Sequence, residues 1–223
     1  FFVSISRTKS RSYLAINIGD HITSEIHLID LSKTNPNPTL MAARREGHEY
    51  DIDHSGNHFY IRSNRDHKNF SVFKVIENEP YEENWDDFVK GDDNSYIRGL
   101  QAFKKFITLE DRVKGLDQIK ICPLEGGSSH YIKFKDATYS VGFGPTTEFD
   151  TLAFRISYTS MITPHSVYDY NTSSKSLELK KVQDIPSGYD PENYKTERFM
   201  APARDGTLVP ISIVYRKDYK CDG

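Results

Sequence analysis

The feature that most restricts this chain is a repeat. Short runs rich in β-branched and aromatic residues begin at Tyr13, Phe59, Phe106 and Leu152, spaced by about 46 residues. After a polar turn each is followed by a second run, at 25–29, 70–75, 116–121 and 166–170, and this second series keeps step with the first. Helical periodicity is poor throughout, so the expected fold is all-β. A unit of roughly 40–50 residues holding several strands has the size of a propeller blade, and the chain holds about four of them. Segments 3–6, 49–53, 97–100 and 138–143 supply a preceding strand for each unit, and segments such as 40–42 and 130–134 supply a closing one. A β-sandwich also contains many short strands, but nothing in its architecture demands two series in phase. Alternation in Tyr50-Asp51-Ile52-Asp53 and Ile26-His27-Leu28-Ile29 is that of strands with unlike faces.

The pattern changes after Ile185-Pro186-Ser187-Gly188. An irregular linker, Tyr189-Asp190-Pro191-Glu192-Asn193-Tyr194, leads to two apolar runs, 197–201 and 209–215, around Arg204-Asp205-Gly206. Asp-Gly between alternating runs signals a hairpin. A boundary is therefore expected near residue 188, with blades over 1–188 and a linker and hairpin over 189–223.

With 37% hydrophobic and 13% aromatic residues, 223 residues can build a substantial core. A formal net charge of -3, with both signs interspersed, favours neither nucleic acid nor an anionic membrane as partner. The first residues lack the charged region and cleavage site of a signal peptide. Cys122 and Cys221 have no metal-type spacing and read as reduced thiols, so a cytoplasmic protein is expected. Asn171-Thr172-Ser173 matches a glycosylation sequon but reads as a turn. A strand-like start at Phe1 and a turn-like end at Lys220-Cys221-Asp222-Gly223 suggest an internal piece of a longer protein.

Chemistry is sparse. No G-x-S-x-G elbow exists, and Gly126-Gly127-Ser128-Ser129 reads as a loop connecting blades. His48, His54, His58 and His67 are close enough in sequence to suggest zinc, yet strands send neighbouring residues to opposite faces, which favours surface or hydrogen-bonded histidines. The acidic run 77–87 reads as a solvated loop, and the pair Gly142 and Gly144 lacks the rest of a dinucleotide fingerprint. No cofactor or metal is expected.

His48-Glu49-Tyr50-Asp51-Ile52-Asp53-His54, Phe59-Tyr60-Ile61-Arg62-Ser63-Asn64-Arg65 and Lys68-Asn69-Phe70 resemble the propeller of oligopeptidase B, within the prolyl oligopeptidase family of serine peptidases. Thr23-Ser24-Glu25-Ile26 and the stretch Arg155-Ile156-Ser157-Tyr158-Thr159-Ser160-Met161-Ile162-Thr163-Pro164-His165 agree with it. Ala203-Arg204-Asp205-Gly206 and Val209-Pro210-Ile211-Ser212 resemble the lead into the hydrolase domain of that family. The resemblance implies a partial propeller, about four four-stranded blades of an expected seven, then a hairpin leading to an α/β-hydrolase domain outside this chain. It implies cleavage of short peptides after Arg or Lys by a Ser-Asp-His triad in that domain, so no catalytic residue is assigned here. Short basic peptides and the chain's own peptidase domain are the implied partners. Gly188, Tyr189, Asp190 and Pro191 would form an interdomain hinge, and the propeller would admit substrates by size. The competing function is a propeller interaction module in a family member without peptidase activity.

Overall fold

The computed structural model describes residues 1–220. Four four-stranded sheets follow one another along the chain. The first contains β1 (Phe2–Arg7), β2 (Tyr13–Gly19), β3 (Ser24–Asp30) and β4 (Thr39–Leu40). The second contains β5 (Tyr50–Ser55), β6 (His58–Ser63), β7 (Ser71–Ile76) and β8 (Asp86–Val89). The third contains β9 (Ser95–Ala102), β10 (Phe106–Val113), β11 (Leu116–Pro123) and β12 (His130–Tyr131). The fourth contains β13 (Tyr139–Phe143), β14 (Ala153–Ser160), β15 (Ser166–Asn171) and β16 (Ser176–Val182). In every sheet the spatial order is the chain order, as short turns between successive strands require. Both phased series of runs lie in these strands except for their first residues at Leu152 and Phe70. A separate antiparallel hairpin joins β17 (Tyr194–Pro202) to β18 (Leu208–Arg216), and Gly206 turns it at φ +84.

The backbone divides into two compact units. One comprises residues 1–111, 120–130 and 147–151; the other comprises 112–119, 131–146 and 152 onward. In the first unit, Tyr13, Ala15, Ile26 and Leu28 of the first sheet meet Tyr50, Phe59, Ile61, Phe73 and Val75 of the second. The opposite face of the second sheet sends Tyr60 and Val72 against Ile97, Ile107 and Leu109 of the third. Side chains alternate across a strand, so a sheet covered on both sides buries residues of both faces: Phe59, Tyr60 and Ile61 are all buried. Face-to-face stacking of small meanders is the packing of propeller blades. In the second unit the same alternation buries Phe154, Ile156 and Tyr158 of β14.

Three local expectations need correction. The acidic run is not merely a solvated loop: a single 3-10 turn (Glu82–Asn84) precedes Trp85, which is buried with its ring 5.5 Å from Tyr50 and 6.0 Å from Phe73, and β8 begins at Asp86. Glu82 there accepts both guanidinium nitrogens of Arg45, at 2.5 and 2.7 Å. The large apolar ring anchors what charge alone suggests is free. The Gly126-Gly127 loop joins β11 to β12 within one sheet rather than connecting blades. Met41 and Ala42 are buried packing residues beyond the end of β4, and only 130–131 of the second closing segment are strand. The strand closing the fourth sheet, β16, carries no strong apolar signal because six of its seven residues are exposed.

Apolar side chains remain exposed at β1, where Phe2, Val3 and Ile5 are each about two-thirds open, and on the hairpin at Phe199, Leu208 and Val209. Such surface favours association. The isolated 223-residue chain is expected to elute from a sizing column above its monomer mass of 25.7 kDa at micromolar concentration, whereas a sharp monomer peak would contradict this.

Candidate functional site

The linker of the second unit borders a cleft within that unit. Gly188 takes φ +79 and closes a turn by donating to the Ile185 carbonyl at 2.9 Å. The Tyr189 phenol donates to the Ile162 carbonyl at 2.9 Å, and its ring stacks on Tyr194 at 5.8 Å. Asp190 caps the 3-10 turn Pro191–Asn193 by accepting the Glu192 amide at 3.0 Å. The Asn193 carbonyl then accepts the Lys217 amide at 2.9 Å. All four residues expected to form a hinge are therefore consecutive in one ordered connection. Tyr189 has its hydroxyl raised in pKa by burial and by Tyr194.

Opposite Pro191, Glu192 and Tyr194 lie the loop 133–136 and residues of β14 and β15, enclosing about 470 Å³. That is the size of a small-ligand pocket. Its floor is aromatic: Phe134 stacks on Tyr158 at 5.1 Å, and Tyr168 meets Tyr158 edge-on at 5.9 Å. Asp136 accepts the Tyr158 hydroxyl at 2.8 Å and the Thr163 hydroxyl at 2.7 Å. Burial alone would raise this carboxyl, but bonds from Ser160, Thr163 and Tyr158 outweigh it and hold its pKa below the ordinary value. The Tyr158 hydroxyl is raised by its burial and by Asp136. Sequence reasoning missed this cleft because its walls come from segments 133–136, 158–168 and 191–217, with no common period. Tyr158 and Thr163 do fall in the family-like stretch of the fourth unit.

The histidines serve elsewhere. His48 contacts Ser63 Oγ through Nε2 at 2.9 Å and stacks on Tyr50, while His67 lies 3.7 Å from Asp93. His54 is buried between Ser10 Oγ, 2.9 Å from Nδ1, and Glu77, 3.0 Å from Nε2. Ser, His and Glu in a line resemble a hydrolase relay, but Ser10 Oγ is also 3.0 Å from Thr8 Oγ1 and accepts the Ser12 amide at 3.3 Å. The trio pins the turn between β1 and β2 onto the second sheet. Gly144, half of the glycine pair, has no room for a side chain: a Cβ there would lie 2.6 Å from Arg155 Cγ. Of the two cysteines, Cys122 is buried and free, its thiol raised chiefly by that burial; Cys221 lies outside the described residues.

Burial lowers the pKa of both His54 and His48 from 6.5, outweighing the opposing effect of Glu77 on the first. An unfolded histidine binds its proton near pH 6.5, whereas the folded ones stay neutral to lower pH, so stability is full above that value and falls as pH drops through it. Each site contributes at most about 1.4 kcal/mol per pH unit within its window. Chemical denaturation from pH 7.5 downward is expected to show this slope, and His54→Gln to flatten it; an unchanged slope in the variant would refute the assignment.

Four-stranded meanders in chain order, stacked face to face within the first unit, define a β-propeller portion. The family model "Prolyl oligopeptidase, N-terminal beta-propeller domain" matches residues 1–183, and the chain belongs to the prolyl oligopeptidase family. It is 33% identical to dipeptidyl aminopeptidase BI of Pseudoxanthomonas mexicana, covering 100% of this chain and 31% of that protein. Protease 2 of Moraxella lacunata is 25% identical, covering 96% of this chain and 31% of its own length. Among solved structures, oligopeptidase B from Trypanosoma brucei, with covalently bound antipain in its closed form, aligns with a TM-score of 0.86 at 26% identity, covering 99% of this chain and 32% of that one. Oligopeptidase B from Leishmania major shares the fold with a TM-score of 0.87 at 24% identity, covering 100% and 33%. The chain thus spans about a third of the length of these relatives.

Proposed function

We propose that the chain is the propeller portion, with the first hairpin beyond it, of a cytoplasmic serine oligopeptidase that cleaves short peptides after Arg or Lys. The observation that carries this reading is the family match over 1–183 together with the succession of four-stranded sheets in chain order. The likeness to oligopeptidase B from Trypanosoma brucei supports an oligopeptidase parent, and cleavage after Arg or Lys is what the resemblance of the sequence to that family implies. The chemistry belongs to a hydrolase domain outside this chain, and the propeller excludes folded proteins sterically. The boundary near residue 188 is part of the same proposal. The name of the 33%-identical relative favours a second reading, release of dipeptides from free N-termini. With the full-length protein, an N-blocked fluorogenic peptide ending in Arg should be hydrolysed faster than a free-amine dipeptide amide. The reverse order would select the second reading. Hydrolysis of neither would favour a propeller interaction module, and activity from the 223-residue chain alone would overturn the division of labour.

Gly188, Tyr189, Asp190 and Pro191 are the proposed hinge, on the strength of the turn at Gly188 and the change of pattern there. Tyr189 and Ile162 are its tether points. Cysteines substituted at those two positions and joined by a short bis-maleimide should slow turnover severalfold in the full-length protein, relative to the same variant before cross-linking. Equal turnover before and after would sink the hinge.

A further inference from the structure

The cleft beside the linker has a charge pattern that the peptidase reading does not use. Asp136 is engaged by two hydroxyls, and Glu192 pairs with Lys217 at 3.4 Å, so both carboxylates on the cleft have partners. Lys133 and Lys135 are exposed on the rim, and among the described residues neither forms a salt bridge; Lys135 acts only through space on adjacent Asp136. Beside them Phe134 and Tyr168 are partly exposed, while Phe134 covers the ring face of the buried Tyr158. With Lys217 held by Glu192 and the Asp136 carboxylate offsetting neighbouring Lys135, the cleft keeps one ammonium group in excess, and that excess beside aromatic side chains favours a flat anion over a cation, which the lysines would repel.

We propose that this cleft binds an aromatic carboxylate, either a free aromatic acid or the C-terminal aromatic residue of a peptide. The ring would lie against the partly exposed Phe134 and Tyr168, and the carboxylate would accept from Lys133 and Lys135. Pro191, Glu192 and Tyr194 form the facing wall, so an occupant touches the fourth sheet and the linker together and braces one against the other. The bracing rests on the hinge reading; the binding does not depend on any peptidase activity.

The test uses the full-length protein and calorimetric titration with N-acetylphenylalaninate, its uncharged amide, the cation tyramine and the tripeptide Gly-Gly-Phe. The carboxylate is expected to bind at least about tenfold more tightly than the amide, the ratio set by losing a charge-assisted bond. Tighter binding of the tripeptide would identify peptide termini as the source, and tighter binding of the acetylated acid a free metabolite. The variant carrying Lys133→Glu and Lys135→Glu, both at exposed positions, should lose that preference. Amide hydrogens of residues 188–194 should exchange more slowly with ligand bound in the parent protein and not in the variant. Equal affinity for acid and amide, preference for tyramine, unchanged affinity in the double variant, or absence of binding would each overturn the proposal. None of these outcomes alters the reading from fluorogenic peptides.

Discussion

Replacing Asp53 with Asn is expected to destabilise the first unit by about 3 kcal/mol, although the two side chains have the same shape. Asp53 is buried, and its carboxylate accepts three backbone amides: Lys9 at 2.8 Å and His54 at 2.9 Å on one oxygen, Ala102 at 2.8 Å on the other. Those amides belong to the turn after β1, to β5 itself and to the end of β9, so one side chain ties three sheets. An Asn carries a donor in place of one oxygen, and in either orientation an N–H must face a buried N–H. Each unsatisfied buried group costs about 1–3 kcal/mol, and the remaining bonds lose their charge assistance. Burial pushes the Asp53 carboxyl up in pKa against the opposing bonds from Ala102, Lys9 and His54. Urea denaturation at pH 7 checks the prediction, and a loss below about 1 kcal/mol would refute the three-amide account.

Phe59→Ala is expected to cost about 3–5 kcal/mol, from lost transfer energy plus the cavity left behind. Phe59 is fully buried between the first two sheets, its ring 4.8 Å from Tyr13 and 4.9 Å from His54. Tyr13 and His54 both bond to Glu77, so the cavity also loosens the contact that holds the turn at residues 8–13. The same replacement at Phe199, 46% exposed on the hairpin, should cost less than about 1 kcal/mol. Calorimetric melting of the two variants beside the parent protein separates burial from residue type. Comparable losses would mean that the exposed hairpin face is covered in solution.

Strand positions were legible in the sequence because alternation and turn chemistry act over a few residues, and a repeat shows them several times. The runs at 13–18, 59–62, 106–109 and 152–156 lie almost wholly within β2, β6, β10 and β14 for that reason. Composition misled where one side chain outweighed its neighbours, as Trp85 does within the acidic run. In β5, Tyr50 and Ile52 alternate with Asp51 and Asp53, which suggests one wet face, yet Asp53 is buried because the second sheet is covered on both sides. A local pattern records what a residue prefers, not how many layers will cover it.

By itself the sequence determined the all-β class, the period of the sheets, the hairpin and its Asp-Gly turn, all consequences of short-range sterics and hydrophobic alternation. Only the tertiary structure decided that Asp53 would gather amides from residues 9 and 102, and that Asp136, Tyr158 and Pro191 would share a cleft. Those groups are separated along the chain by more than the reach of any local rule, and the stacking or folding-back of whole elements brings them together.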